Sequence, residues 1–293
     1  SLVSRRIADI DQPDRDALGD LFRHLEETDD DWIDPHEHRQ RDNIFGFPRG
    51  ARAGNFFHDI FEQLDYTADL PIAASETIQH ALQAYGFDSA WHHIVAQTIT
   101  NVLQVPLTPE LPELTLSAIH FDQRINEMEF YFPLKTIRPS TLQDVFKRHG
   151  HDAEGRNFPV QMEKLIFDPV GGFLKGYVDL VFQYQDRIFL VDWKSNYLGP
   201  TLDSYRRDAL GDVMCAHFYI LQYHLYVLGL CQYLRFKNSA FRYEGGFGGA
   251  VYVFLRGIDQ RCSPEFGIYF DRPELTLINA LGESLIPDFK EFI

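Results

Sequence analysis

Apolar residues recur along this chain at two periods, and the changes between them outline the elements. Over 14–27, Leu18, Leu21, Phe22 and Leu25 share one helical face, and the stretch runs into the acidic sequence Glu26-Glu27-Thr28-Asp29-Asp30-Asp31. A second helix opens between Gly50 and Gly54 and continues through Leu64, with Phe57, Ile60, Phe61 and Leu64 as its buried stripe. Residues 75–105 read as helical with an interruption near Gly86, and Pro106, Pro109 and Pro112 then mark a loop. The period shortens to two over 127–134, where Met128, Phe130 and Phe132 face one way and Glu129 and Tyr131 the other, as in a strand. Residues 138–160 give a helix and a polar connection containing Gly150, Gly155 and Pro159. A hairpin occupies 173–194, and one long helix is expected over 204–235, with Met214, Phe218, Leu221, Leu225 and Leu228 at helical spacing. The run from Gly245 to Gly249 reads as a mobile loop before a strand over 250–256. No Gly-Lys-Ser/Thr follows it, so it is not a phosphate-binding loop. There is no internal repeat.

The hairpin carries the chemistry. If its turn is symmetric about Gln185 and Asp186, Tyr184 faces Arg187 and the register sets Asp179 directly opposite Asp192. Lys194 then leaves on the same face as Asp192, because side chains alternate along a strand. Directly opposed carboxylates repel, so this pairing would also make the metal-free chain more stable when either aspartate is removed. A divalent cation between them gives the arrangement a purpose, because oxygen ligands suit Mg²⁺. A lysine beside such an ion can orient a water or offset developing negative charge. The plainer alternative is a hairpin whose aspartates face solvent. Val178, Leu180, Val181, Phe182, Ile188, Phe189, Leu190 and Val191 oppose it, since strands apolar at successive positions are buried on both faces.

Composition narrows the class. With 293 residues, 45% of them hydrophobic and 25 of them Phe, the chain can build a substantial core. No apolar run is long enough to cross a bilayer, and no signal-peptide pattern opens the sequence, so a soluble, cytoplasmic protein without membrane contact is expected. Its start at Ser1-Leu2 suggests a piece of something longer. Cys215, Cys231 and Cys262 are scattered without zinc or disulfide spacing, in keeping with a reducing compartment. The formal net charge of −16 argues against an independent nucleic-acid binder, whose affinity rests on phosphate neutralisation. Basic residues do cluster locally, at Arg138, at Lys147 and Arg148, and at Arg206 and Arg207. Any grip on DNA should therefore be weak, with the strand delivered by something else.

Several tempting clusters carry nothing. His36-Glu37-His38 lacks the spacing of a helical zinc protease. His92 and His93 are adjacent and point apart on a helix, and Ser195 has no His/Asp partner pattern. Five ordered motifs are more specific. They are Phe47-Pro-Arg-Gly-Ala-Arg-Ala-Gly-Asn-Phe-Phe-His58, Met128-Glu-Phe-Tyr-Phe-Pro133, Gly176-Tyr-Val-Asp179-Leu-Val-Phe with Val191-Asp192-Trp-Lys194-Ser-Asn, Gln222-Tyr-His-Leu-Tyr226, and Phe247-Gly-Gly-Ala-Val-Tyr-Val-Phe-Leu-Arg-Gly257. Together they resemble the RecB-type nuclease domains of the PD-(D/E)xK superfamily, over about residues 47–269. The four-cysteine iron–sulfur signature of a related branch is absent.

The resemblance implies an α/β fold: a mixed central β-sheet flanked by helices, a restriction-endonuclease-like core at 47–293, preceded by an acidic, partly helical entry segment at 1–46. It implies hydrolysis of DNA phosphodiesters in double-strand break repair and recombination, as an exodeoxyribonuclease V-like enzyme. Asp179, Asp192, His58 and the backbone carbonyl of Trp193 would hold Mg²⁺. Mn²⁺ could substitute for it, while Ca²⁺ would bind without supporting efficient cleavage. Lys194 would serve the attacking water, Gln222 and Tyr226 would border the site, and Glu129 would lie near the metal. For four of these the residues alone leave another reading open: His58 as the edge of a core stripe, Glu129 as a solvated strand position, Gln222 and Tyr226 as an amphipathic surface. Implied partners are DNA, preferentially single-stranded, RecC- and RecD-like subunits, and a helicase part of the same polypeptide. A catalytically silent structural or DNA-guiding module on the same fold, and a stand-alone endonuclease acting on other nucleic acid, are the alternatives.

Overall fold

The computed structural model describes residues 43–293, apart from 69, 151–156, 168 and 262–264. The helix expected over 14–27 and nearly all of the 1–46 segment lie outside the described residues.

Two long strands, β1 (Arg124–Ile137) and β2 (Val170–Tyr184), pair antiparallel from Arg124↔Phe182 to Ile137↔Val170. A turn at Gln185 and Asp186 returns the chain into β3 (Arg187–Lys194), with Tyr184 facing Arg187 as the symmetric turn requires. Gln185 takes a φ of 53°, the left-handed conformation of a tight hairpin turn. β3 pairs in parallel with β4 (Phe247–Phe254), and β5 (Ile268–Asp271) closes that edge antiparallel. The result is a mixed five-stranded sheet in the order β1-β2-β3-β4-β5.

Helices cover both faces. On one lie α1 (Ala51–Gln63), α2 (Leu70–Ala84) and α3 (His92–Gln104). On the other lie α4 (Pro139–His149), α5 (Arg207–Ala216), α6 (Tyr219–Lys237) and α7 (Leu275–Leu285). In β3, Phe189, Val191 and Trp193 enter the first core and Leu190 the second, which is why the hairpin is apolar at successive positions. α1 fully buries Phe56, Phe57, Ile60 and Phe61, each contributing about 1.5–3 kcal/mol. The Phe61 ring stacks on Trp193 at 4.4 Å, fixing α1 against the end of β3. Arg256 fixes the same junction a second way. Its buried guanidinium donates to the carbonyls of Ser195, Ile44, Phe47 and Pro48, tying the segment before α1 to the residue after Lys194.

Two expectations need correction. The single helix over 204–235 is two helices, α5 and α6, bent by 80°. Phe218 sits between them with a φ of 55°, a conformation no helix interior holds. The helical spacing across this break was uninformative because every residue from Tyr219 to Cys231 is buried, so α6 has no polar face. No single helix among the described residues is long and apolar enough to cross a membrane. The second correction concerns Gly245 to Gly249, which is not a loop. Gly245 and Gly246 close a short helical turn, and β4 already begins at Phe247. Gly248 is the extra residue between the pairs Ile188↔Phe247 and Phe189↔Gly249, a bulge. A Cβ on Gly248 would lie 2.3 Å from the Phe189 ring, and one on Gly249 2.5 Å from Phe270. Close packing of those rings, not mobility, accounts for the glycines.

Candidate active site

The β2–β3 ladder pairs residues as far as Leu180↔Val191, one step short of the aspartates. There β2 changes the facing of its side chains. Val178 and Val181 both enter the core beneath α4–α7, whereas Leu180 enters the core beneath α1–α3. Strict alternation would keep Val178 and Leu180 together. On the neighbouring strand, Glu127 lies between the pairs Asn126↔Leu180 and Met128↔Val178 with a φ of 49°. Asp179 sits at this irregularity, and its Oδ2 accepts the Trp193 N–H at 2.8 Å. Asp192 is 4% exposed, so the solvent-facing alternative for the hairpin carboxylates fails.

His58 projects from α1 into the same place. Its Nδ1 lies 3.3 Å from Asp179 Oδ1 and its Nε2 3.2 Å from the Trp193 carbonyl. Both oxygens only accept, so the ring satisfies both when each nitrogen carries a proton. Burial pulls the imidazole pKa down, but the Asp179 charge and hydrogen bond, with Asp192 beyond, lift it to about 9. Burial pushes the Asp179 carboxyl up, yet His58, the Trp193 amide and Lys194 together hold it below the usual carboxylate range. At Asp192 burial wins, helped by the Asp179 charge and opposed by Lys194, and the carboxyl rises to about 7. The neighbouring carboxylates are therefore driven apart in acidity, as at sites of acid–base chemistry.

Lys194 leaves β3 on the face of Asp192, and its Nζ is 2.6 Å from Asp192 Oδ2. Gln222 Oε1 accepts from Lys194 Nζ at 3.4 Å and from the Tyr252 hydroxyl at 2.8 Å, while Gln222 Nε2 donates to Tyr226 Oη at 3.0 Å. The Tyr219 ring centroid lies 4.2 Å from Nζ. Gln222 and Tyr226 are buried, so they are not an amphipathic surface. Gly229, one turn further along α6, makes this reach possible. A Cβ there would lie 2.5 Å from the Phe130 ring, so α6 packs directly on β1.

Glu129 is not brought to this cluster. Its half-exposed side chain pairs with Lys175 at 3.3 Å and accepts from the Tyr177 hydroxyl at 3.4 Å. The acid beside Asp179 is Glu127, which lines a small open pocket with His58, Glu62, Asn126, Asp179 and Trp193. Both glutamates share the nominal strand parity, and only the turned backbone at Glu127 tells them apart. Tyr252, Tyr219 and Arg256 were also missed by sequence reasoning. Tyr252 becomes a neighbour of Asp192 through the parallel β3–β4 pairing, for which local sequence gives no signal. Arg256 did carry one, as a lone cation in an apolar run.

A divalent metal fits these groups. Asp192 Oδ2 is buried and, despite the nearby Lys194, has no aligned hydrogen-bond donor. The His58 ring already turns its two nitrogens toward Asp179 and the Trp193 carbonyl. The donor set of two carboxylates, one imidazole and one carbonyl suits Mg²⁺ or Mn²⁺. Among the described residues no three His, Cys, Asp or Glu side chains stand together as a finished metal cage.

Comparison with known proteins shows the family to which the chain is similar. A family model for the PD-(D/E)XK nuclease superfamily matches residues 35–267. The RecBCD enzyme subunit RecB of Escherichia coli is 38% identical over 237 residues, covering 81% of this chain and 19% of that protein. The RecB subunit of Haemophilus influenzae is 32% identical over 240 residues, 82% of this chain and 19% of that protein. That of Mycolicibacterium smegmatis is 29% identical over 265 residues, 81% of this chain and 24% of that protein. The chain thus spans about a fifth of the length of the E. coli and H. influenzae proteins.

Proposed function

The chain belongs to the PD-(D/E)XK nuclease superfamily, and from that premise we propose that it is the nuclease part of a RecBCD-type helicase–nuclease, hydrolysing DNA phosphodiesters in double-strand break repair and recombination. One observation carries the reading: two carboxylates at the end of the hairpin, Asp179 partly buried and Asp192 buried, flanked by His58 at 3.3 Å from the first and by Lys194 at 2.6 Å from the second. Asp179, Asp192, His58 and the Trp193 carbonyl would hold Mg²⁺, with Mn²⁺ as a working substitute. When bound, the ion polarises the phosphate and makes water a better nucleophile. Lys194, steadied by Gln222, Tyr252 and the Tyr219 ring, orients the attacking water and offsets charge on the crowded phosphate. Tyr226 keeps the Gln222 amide in the orientation that offers Oε1 to Lys194. The nuclease unit would begin near residue 47, and partners would include single-stranded DNA, RecC- and RecD-like subunits and a helicase part of the same polypeptide, in the cytoplasm. Exonucleolytic action belongs to the same proposal.

The test is a cleavage assay on the isolated 293-residue chain with labelled single-stranded DNA, duplex DNA and RNA. Mg²⁺ or Mn²⁺ should support cleavage of single-stranded DNA from its ends. Ca²⁺ should bind yet support little chemistry, because its looser coordination aligns the water poorly. Asp192→Ala and Lys194→Ala should each abolish turnover, and only the first should weaken metal binding. Robust cleavage in excess chelator, or near-normal turnover by Lys194→Ala, would overturn the assignment.

A further inference from the structure

One surface leads to the site and is covered by none of the described residues. The β1–β2 ribbon packs Met128, Phe130, Phe132, Leu134, Leu174 and Val178 into the core beneath α4–α7. Among the described residues its opposite face is uncovered. Tyr131 is 71% exposed, Phe173 63% and Tyr177 41%, and Lys175 stands among them. The register makes Tyr131 the cross-strand partner of Lys175 and Glu129 that of Tyr177. The Tyr131 and Phe173 rings lie 6.4 Å apart, and Lys175 Nζ is 5.0 Å from the Tyr177 ring centroid. Phe173, Lys175 and Tyr177 alternate onto this one face, and two residues after Tyr177 the strand reaches Asp179, which lines the pocket. Neighbouring same-face positions on a strand are separated by about 6.5–7 Å.

We propose that this face, Tyr131, Phe173 and Tyr177 with Lys175, is a stacking track that holds unpaired bases of single-stranded DNA and feeds the strand to Asp179. The proposal rests on the nuclease reading for its direction, since a polymer cut at Asp179 must lie along one of the surfaces that meet there. Three features favour a nucleic acid over a protein neighbour. The exposed rings together offer roughly 260–440 Å², well short of the ~800 Å² per partner of a stable protein interface. Aromatic faces interleaved with a cation, continuous with a phosphodiester-cleaving site, are the composition by which sequence-tolerant single-strand binders work. Glu129, the acid within the strip, is ion-paired with Lys175 at 3.3 Å and accepts from the Tyr177 hydroxyl, so it does not set an unpaired charge against the phosphates. The track also reconciles an acidic chain with a DNA substrate, because stacking needs little net positive charge.

The test uses the full chain and the double variant Tyr131→Leu/Phe173→Leu, which keeps apolar side chains and removes the stacking rings. Binding of a fluorescent ten-nucleotide oligothymidylate, followed by anisotropy in Ca²⁺, should weaken at least about 30-fold, the loss of two stacked bases. Thermal unfolding should be unchanged, and so should Mn²⁺-dependent hydrolysis of bis(p-nitrophenyl) phosphate, a substrate too small to reach the strip. Photocrosslinking of 5-iodouracil-substituted DNA should map to Tyr131, Phe173 or Tyr177. Unchanged oligonucleotide affinity in the variant, or crosslinks confined to other surfaces, would overturn the track. Loss of association with the helicase part of the polypeptide, with DNA binding intact, would overturn it in favour of a protein neighbour. Failure of the nuclease reading is a separate result: neither DNA nor the small ester is then cleaved, while the anisotropy and crosslinking still decide the track.

Discussion

Asp179 and Asp192 look equivalent in the sequence and are not equivalent in the fold. Simple repulsion predicts that removing either one stabilises the metal-free chain, but Asp179 accepts the Trp193 amide and holds His58. Asp179→Ala should therefore lose about 1–3 kcal/mol in urea unfolding with chelator, the cost of stranding a buried donor. Asp192→Asn should lose little or gain, because it replaces a carboxyl that burial already drives toward neutrality. Equal effects of the two would contradict the asymmetry. A second residue sets an acid limit on the fold. His224 is buried with its ring against Phe146 and Tyr223, and burial depresses its pKa below 6.5, against the opposing Asp271 charge and the Ile220 carbonyl. A histidine depressed in the folded state takes up its proton more readily unfolded, so stability must fall as the pH drops below about 6.5. The slope is at most about 1.4 kcal/mol per pH unit. Urea midpoints of wild type and His224→Gln between pH 7.5 and 5 should converge as the pH falls. Parallel curves would show that this histidine does not couple folding to pH.

At the scale of elements, helices and strands with one buried face were legible and those buried all round were not. α1 announced itself through its stripe, and β1 through alternation, because each has a polar side to contrast with the apolar one. α6 has none over Tyr219 to Cys231, so its start at the turned Phe218 left no trace in the spacing. The glycines before Ala250 misled for a related reason, since composition alone does not separate a loop from a strand pressed against aromatic rings. Gly248→Val makes the distinction measurable. In a mobile loop it would be nearly silent, but against Phe189 it should cost about 1–3 kcal/mol or more through overpacking. Denaturant unfolding of that one variant decides the matter.

For the whole molecule, the formal charge of −16 sets the character of its encounter with DNA. Few phosphates can be neutralised, so the isolated chain should bind single strands weakly, with a shallow slope of log affinity against log salt. Digestion should be slow and unprocessive, with nothing in the chain resembling a motor. Anisotropy across a salt series beside timed digests would check this. Tight duplex binding with a steep slope would instead reveal a self-sufficient basic surface.

The sequence by itself determined the hairpin, its symmetric turn and the nearness of Asp179, Asp192 and Lys194, because these follow from local pairing and a two-residue period. It also named His58, Gln222 and Tyr226 through motif resemblance. Only the tertiary structure decided that Glu127 rather than Glu129 stands at the pocket, that Tyr252 and Tyr219 surround Lys194, and that Arg256 locks the segment before α1 to the end of β3. Those contacts join residues up to 212 positions apart. They depend on strand order and on one turned backbone position, and neither leaves a periodic signal in the chain.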